Sequence, residues 1–115
     1  MTNAIAHWQL LSADPERTAG FYSALFGWRV SDANGLGYRE VGGAGIDGGI
    51  WPVPQGAPEG VQLYVQVEDI DDALEKTVAL GGSVVMPKQV LPDGDAMALA
   101  LDPLGRSFGL MTRSA

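Results

Sequence analysis

The residues best suited to chemistry in this sequence are one histidine and a small set of amide and phenol side chains. His7 is the single histidine, and imidazole is the side chain that exchanges a proton near neutral pH. Gln9, Gln62 and Gln66 do not titrate, but each amide donates and accepts hydrogen bonds and can orient a polar ligand. Tyr64 offers a ring for stacking and a hydroxyl. We predict His7 and Tyr64 as catalytic residues and the three glutamines as ligand-binding residues.

Large apolar side chains complete the predicted binding site, since ligand pockets are mostly apolar with a few placed polar groups. We assign Trp51, Met97 and Met111 to its wall. Ordinary core packing is the alternative for the two methionines, and a structural hydrogen bond is the alternative role for His7. Trp8 and Trp28 are instead expected in the core under the predicted helices. For Tyr64, packing without a catalytic role is the alternative.

Composition excludes several other functions. Cysteine is absent, which removes disulfides, thiolate nucleophiles and cysteine-based metal centres. Seven basic against fourteen acidic residues give a net charge of −7, which disfavours nucleic acid and anionic membranes as partners. A single histidine supports no Ser–His–Asp arrangement, and no glycine-rich phosphate loop precedes a helix.

We also expect no targeting signal. No apolar run reaches the roughly 18–20 residues of a membrane span. Asp14, Glu16 and Arg17 stand where a signal peptide would need an apolar stretch. We therefore expect a cytoplasmic protein with no membrane partner.

The elements that must position these residues occur twice in the same order. The first half predicts a strand at 4–12, a helix from the Asp14-Pro15 cap to about Phe26, and strands at 28–33, 38–42 and 45–51. The second half predicts a strand at 61–67, a helix at about 70–80 capped by Asp69, and strands at 83–90, 95–101 and 107–112. A stretch rich in proline and glycine, 52–60, links the halves.

This order predicts an α+β fold made of two tandem βαβββ modules, residues 4–54 and 61–113, within a single domain over 1–115. Each half has about 50 residues and is too small to bury much surface alone. The alternation in 61–67 predicts that the Val61 and Leu63 side packs under the helices, and that Gln62 and Tyr64 line a wet cavity. A plain solvated face is the alternative.

Several motifs in this order resemble the vicinal oxygen chelate superfamily, which includes glyoxalase I, extradiol dioxygenases and the bleomycin- and fosfomycin-resistance proteins. The matching segments are His7 with Asp14, Phe21-Tyr22 with Leu25-Phe26-Gly27-Trp28, Val67 to Ala73, Leu80-Gly81-Gly82 and Asp102 to Leu110. The resemblance implies that the two modules form a half-open barrel around a small-molecule cavity. It also implies a homodimer.

Metal enzymes of this superfamily hold a divalent cation with four side chains. By position, the resemblance places those ligands at His7, Gln62, Gly49 and Gly109. One imidazole and one amide do not supply the anionic oxygen ligands that such a metal needs, although Asp47 or Glu40 could substitute. We therefore expect no metal and no cofactor, and we predict that Gly49 and Gly109 leave room for a ligand.

Three functions remain open from the sequence. The first is metal-independent binding of an organic, partly aromatic or polycyclic molecule, for sequestration or for catalysis that is shape-directed or uses proton transfer by His7. The second is a metal-dependent lyase or dioxygenase of glyoxalase type. The third is a structural or regulatory dimer with a vestigial cavity. Whether the protein is an enzyme, such as a lyase, isomerase or cyclase, therefore stays open.

Overall fold

A computed structural model describes residues 3–113. The terminal residues of the predicted domain, 1–2 and 114–115, lie outside the described part. The chain divides into two compact units, residues 7–62 and residues 3–6 with 63–113. Each unit contains most of one predicted module, and the boundaries after Ala6 and after Gln62 fall within the first strand of each module.

The first unit carries one helix and four strands in the predicted order. Its elements are β1 (Ala4–Ser12), α1 (Pro15–Phe26), β2 (Arg29–Val30), β3 (Arg39–Gly42) and β4 (Gly48–Pro52). The strands lie in the order β2-β3-β4-β1. β1 pairs with β4 in parallel, and the other neighbours pair antiparallel.

Helix α1 begins and ends as its sequence predicts. The Asp14 carboxylate accepts the backbone N–H of Arg17 at 3.2 Å, and Gly27 takes the left-handed conformation at the other end, with φ 72°. The helix covers a core of Ala19, Val41 and Ile50. Trp8 and Trp28 pack against this core, which confirms their predicted placement.

The second unit repeats this order. Its elements are β5 (Gly60–Gln66), α2 (Ile70–Ala79), β6 (Ser83–Val90), β7 (Ala96–Leu101) and β8 (Ser107–Thr112). The strands lie in the order β5-β8-β7-β6, with β5 parallel to β8 and the other pairs antiparallel. Asp69 caps α2 by accepting the Asp72 N–H at 3.0 Å. The α+β class and the two βαβββ modules are thus confirmed.

The core of the second unit lies between α2 and β7 and β8. Ile70 and Leu74 of the helix pack with Leu110 and with the alanines of β7. Small residues on β7 let the helix approach the sheet closely. Neither helix of the described chain is long and apolar enough to cross a membrane.

The face assignment of β5 is wrong for the first half of that strand. Val61 and Leu63 are 65% and 43% exposed, whereas Gln62 and Tyr64 are 4% and 5% exposed. The cause is the extent of the α2 core, which Val65 and Val67 join further along the strand. The amide and the phenol are therefore buried rather than wet.

Two of the predicted strands in the first unit are longer than the observed ones. Strand 28–33 shortens to β2, because Asn34 folds the following residues into a turn. Its side-chain oxygen accepts the N–H groups of Leu36 at 2.8 Å and Tyr38 at 3.0 Å. Strand 45–51 starts only at Gly48.

Candidate functional site

One face of the first unit's sheet gathers most of its chemistry-bearing side chains. Gln9 and Glu40 both pair with Gly49, one from each neighbouring strand. Residues paired across strands share a face, as do residues two apart on one strand. His7 and Trp51 therefore lie on the same face as Gln9 and Gly49. The opposite face meets α1 through Val41 and Ile50.

His7 contacts a tyrosine that sequence reasoning missed. Its Nε2 lies 3.0 Å from the hydroxyl of Tyr38. Tyr38 directly precedes β3, and β4 runs between β3 and β1. The ring passes over Gly49, where an added Cβ would overlap the Tyr38 hydroxyl and ring. A glycine at 49 is thus what lets the tyrosine cross β4 and reach the histidine.

The position of Tyr38 is fixed from several sides. Asn34 accepts its backbone N–H at 3.0 Å through the side chain and donates its own backbone N–H to the Tyr38 carbonyl at 2.9 Å. The Trp51 ring lies beside the Tyr38 ring, with centroids 5.7 Å apart. Sequence reasoning did not select Tyr38; the available signal was its place two residues before Glu40, after the turn that Asn34 forms.

Two of the predicted ligand-binding glutamines bond to each other. Gln9 Nε2 donates to Gln62 Oε1 at 2.7 Å, and both side chains are buried. The expectation that these two glutamines line a wet face is therefore also wrong, because both side chains are buried and one amide donates a hydrogen bond to the other.

We name the face of the first unit's sheet that carries His7 and Gln9 the polar face. Its residues are His7, Gln9, Tyr38, Glu40, Gly49, Trp51 and Gln62.

The polar face does not offer a set of donors for a divalent metal. Nε2 of His7 is engaged by Tyr38, and Gln62 Oε1 accepts from Gln9. Glu40 is exposed, and Asp47 precedes the first residue of β4 rather than sharing its alternation. Within residues 3–113, no three histidine, aspartate or glutamate side chains come together. These residues do not fit the implied metal.

The corresponding face of the second unit is mostly apolar, with Tyr64 and Gln66 as its polar side chains. Tyr64 pairs with Gly109, Gln66 pairs with Met111, and Met97 also pairs with Met111. All of these point away from the α2 core, so neither methionine belongs to it. We name this surface the methionine face. Its residues are Tyr64, Gln66, Met86, Met97, Leu99, Gly109 and Met111.

Gly109 is covered by a tyrosine ring, as Gly49 is. A Cβ added at Gly109 would overlap the ring of Tyr64, and Tyr64 is buried. The open space predicted at the two glycines is therefore wrong. Because glycine has no Cβ, an aromatic ring can lie against the backbone at each position, and the ring fills the space that was predicted for a ligand.

A depression beside α1 contains none of the predicted site residues. It has a volume of about 340 Å³ and lies at the start of the helix. Ser12 and Thr18 hydroxyls bond to each other there at 2.8 Å, and Glu59 accepts the Ala13 N–H at 2.9 Å. Its polar groups hold the β1–α1 connection together.

Two sequence comparisons with known proteins agree on the family of this chain. The sequence profile of a family described as a glyoxalase-like domain matches residues 8–111. The chain is also 35% identical over 112 residues to the "Putative glyoxylase CFP32" of Mycobacterium bovis and of Mycobacterium tuberculosis. That alignment covers 88% of this chain and 42% of each relative. The chain thus spans about two fifths of the length of these relatives.

Solved structures with this fold include enzymes with different chemistry. A methylmalonyl-CoA epimerase of Streptomyces coelicolor matches with a TM-score of 0.66 and 20% identity, over 100% of this chain and 97% of that chain. A Mn(II)-bound glyoxalase from Novosphingobium aromaticivorans matches with a TM-score of 0.67 and 17% identity, over 97% of this chain and 38% of that chain. At such identities the likeness shows the fold alone.

Proposed function

This chain belongs to the glyoxalase-like domain family of the vicinal oxygen chelate superfamily, and on that premise we propose that it binds a small organic molecule at the polar face and moves a proton there. The observation that carries the proposal is the 3.0 Å contact between His7 Nε2 and the Tyr38 hydroxyl. It joins the chain's single imidazole to a second group that exchanges protons.

The surroundings of this pair favour an organic ligand with a flat or unsaturated part. The Trp51 and Tyr38 rings lie next to each other, tilted by 51°, and aromatic rings favour stacking against such a group. The Gln9–Gln62 pair is buried on the same face, and in our proposal its amide groups contact a carbonyl or hydroxyl oxygen of the ligand once it has bound. The ligand class is therefore a small carbonyl-bearing molecule, and the reaction class is proton removal and return beside that carbonyl.

We also propose that this chemistry needs no metal. The donor set of the polar face supports this, because its imidazole and its amide oxygen are engaged by Tyr38 and Gln9. A divalent cation would require anionic oxygens that neither supplies. Elemental analysis of dialysed protein tests this point. Near-stoichiometric Ni, Zn, Fe or Mn would contradict it and favour a metal-dependent lyase or dioxygenase.

Hydrogen exchange tests the proton transfer directly. The probe is methylmalonyl-CoA in D₂O, chosen because a structural neighbour is named as its epimerase. The wild-type protein should exchange the α-hydrogen, and His7→Ala should slow the exchange by about 10²- to 10⁴-fold, the usual contribution of a general base. Equal rates for the two proteins would contradict the role of His7.

Binding is tested separately by thermal shift against a panel of aromatic and carbonyl compounds. A compound that raises Tm without any exchange reaction would favour sequestration. A panel with no stabilising compound would favour a structural or regulatory role. We propose a homodimer in each case, which light scattering on a gel-filtration column checks.

A further inference from the structure

The nitrogen of His7 that faces Tyr38 is not directly available to a ligand. Nε2 lies 3.0 Å from the Tyr38 hydroxyl, and a hydroxyl both donates and accepts a hydrogen bond. A proton can therefore pass between this nitrogen and the phenol oxygen.

Tyr38 lies outside the strands, yet neighbouring residues fix its position. The Asn34 turn fixes its backbone, Gly49 clears the path of its ring, and Trp51 packs beside it. These contacts favour one position of the ring. Such preorganisation is what a group that exchanges protons requires.

We infer that Tyr38 is a further catalytic residue, whose phenol exchanges the proton with the bound molecule while His7 serves as its relay. This inference rests on the proposed function of the same face. In the forward step the phenol oxygen takes a proton from the carbon beside the ligand's carbonyl. The phenol's own proton passes to Nε2, which leaves an enolate and an imidazolium. The reverse step returns the proton, so no oxidant or other reactant is consumed.

The two groups complement each other at neutral pH. A phenol ordinarily titrates near pH 10 and an imidazole near pH 6.5. A phenol alone therefore holds its proton at pH 7 and is a poor base. An imidazole behind it accepts that proton, which makes the phenol oxygen basic during the step. The pair accordingly works where neither tyrosine alone nor a remote histidine would.

The first test needs no ligand, because His7 is the single histidine and gives unambiguous signals. In ¹⁵N NMR, Tyr38→Phe should shift the Nε2 resonance, and diethyl pyrocarbonate should modify His7 several-fold faster than in the wild type. Tyr22→Phe, which removes the hydroxyl of an α1 tyrosine stacked on Trp28, is the matched control and should behave like the wild type. An unchanged Nε2 resonance and modification rate in Tyr38→Phe would overturn the relay.

The second test follows the methylmalonyl-CoA exchange rate against pH. Tyr38→Phe should lose about 10²-fold or more at every pH. His7→Gln keeps the phenol but removes the imidazole that takes its proton, so its exchange should also fall by about 10²-fold or more. If Tyr38→Phe exchanges like the wild type while His7→Gln does not, the inference fails and the proposed function stands. If the wild type shows no exchange, the catalytic roles of both residues are overturned.

Discussion

The polar face and the methionine face use the same device in different surroundings. In each, a glycine without a Cβ lets a tyrosine ring lie on the backbone, with Tyr38 over Gly49 and Tyr64 over Gly109. Tyr64 stands directly opposite its glycine in the register of β5 and β8. Tyr38 instead comes from beyond β4 and crosses that strand to reach His7.

The neighbours of the two tyrosines decide what each face can do. Tyr38 meets an imidazole, and the Gln9–Gln62 amide pair lies on the same face. The residues that share the face of Tyr64 include Met97 and Met111, whose flexible thioether chains adapt to apolar groups of varied shape. In our proposal the repeated backbone carries proton transfer in one unit and apolar contact in the other.

Substitution of the two glycines should give the largest effects. Gly49→Ala and Gly109→Ala each force a methyl group into a tyrosine ring, which should cost about 1–3 kcal/mol of unfolding free energy. Urea unfolding measures this cost. Gly20→Ala is the matched control, because its Cβ meets no atom within 4 Å and alanine favours a helix.

The same three variants also distinguish the two faces when the His7 resonances are recorded by NMR. Only Gly49→Ala should shift the His7 resonances strongly, because it alone displaces Tyr38. A loss of stability no greater than that of Gly20→Ala would show that the rings do not depend on these glycines.

The buried amide pair should give the next largest effect. Gln9→Leu removes the amide that donates to Gln62 Oε1 and should lower the unfolding free energy by about 0.5–1.5 kcal/mol. The double variant with Gln62→Leu should cost less than the sum of the single variants. A double-mutant cycle from denaturant unfolding measures the difference. Strict additivity would contradict a direct bond between the two.

Met97 should tolerate an apolar exchange. Met97→Leu keeps the apolar surface of the methionine face and should change stability by less than about 1.5 kcal/mol. Thermal or urea unfolding checks this. A loss well above that value would mean that Met97 packs as tightly as a core residue, which was the alternative role considered for it.

The smallest effect is a pH dependence at the turn between β7 and β8. The backbone N–H of Arg106 is the main cause that lowers the pKa of Asp102 from its usual 3.8. The carboxylate therefore stabilises the fold above that value and loses this effect as the pH falls through its lowered pKa. Asp102→Asn should be less stable than the wild type at pH 7. A gap that persists unchanged at about pH 2 would contradict this account.

Local signals predicted most of the fold. Asp14 and Asp69 each precede their helix with a capping carboxylate, and Gly27 ends α1 in a left-handed conformation. Such features depend on a few adjacent residues, so the sequence alone reveals them. The α+β class and the order of elements followed from these signals.

The arrangement of the site could not be predicted in the same way. Tyr38 reaches His7 only because β4 separates β3 from β1 and carries glycine at the crossing point. That contact joins positions 31 residues apart and depends on the strand order. The burial of Gln62 and Tyr64 likewise depends on where α2 covers β5, which alternation within one strand does not report.

The most direct test of the central claim follows the single histidine while ligands bind. Any compound that raises Tm in the thermal-shift panel is titrated into ¹⁵N-labelled protein, and the His7 ring resonances are recorded. Our account predicts that these resonances shift with the bound fraction, because the ligand meets the Tyr38–His7 pair. A stabilising compound that leaves them unchanged at saturation would contradict the account.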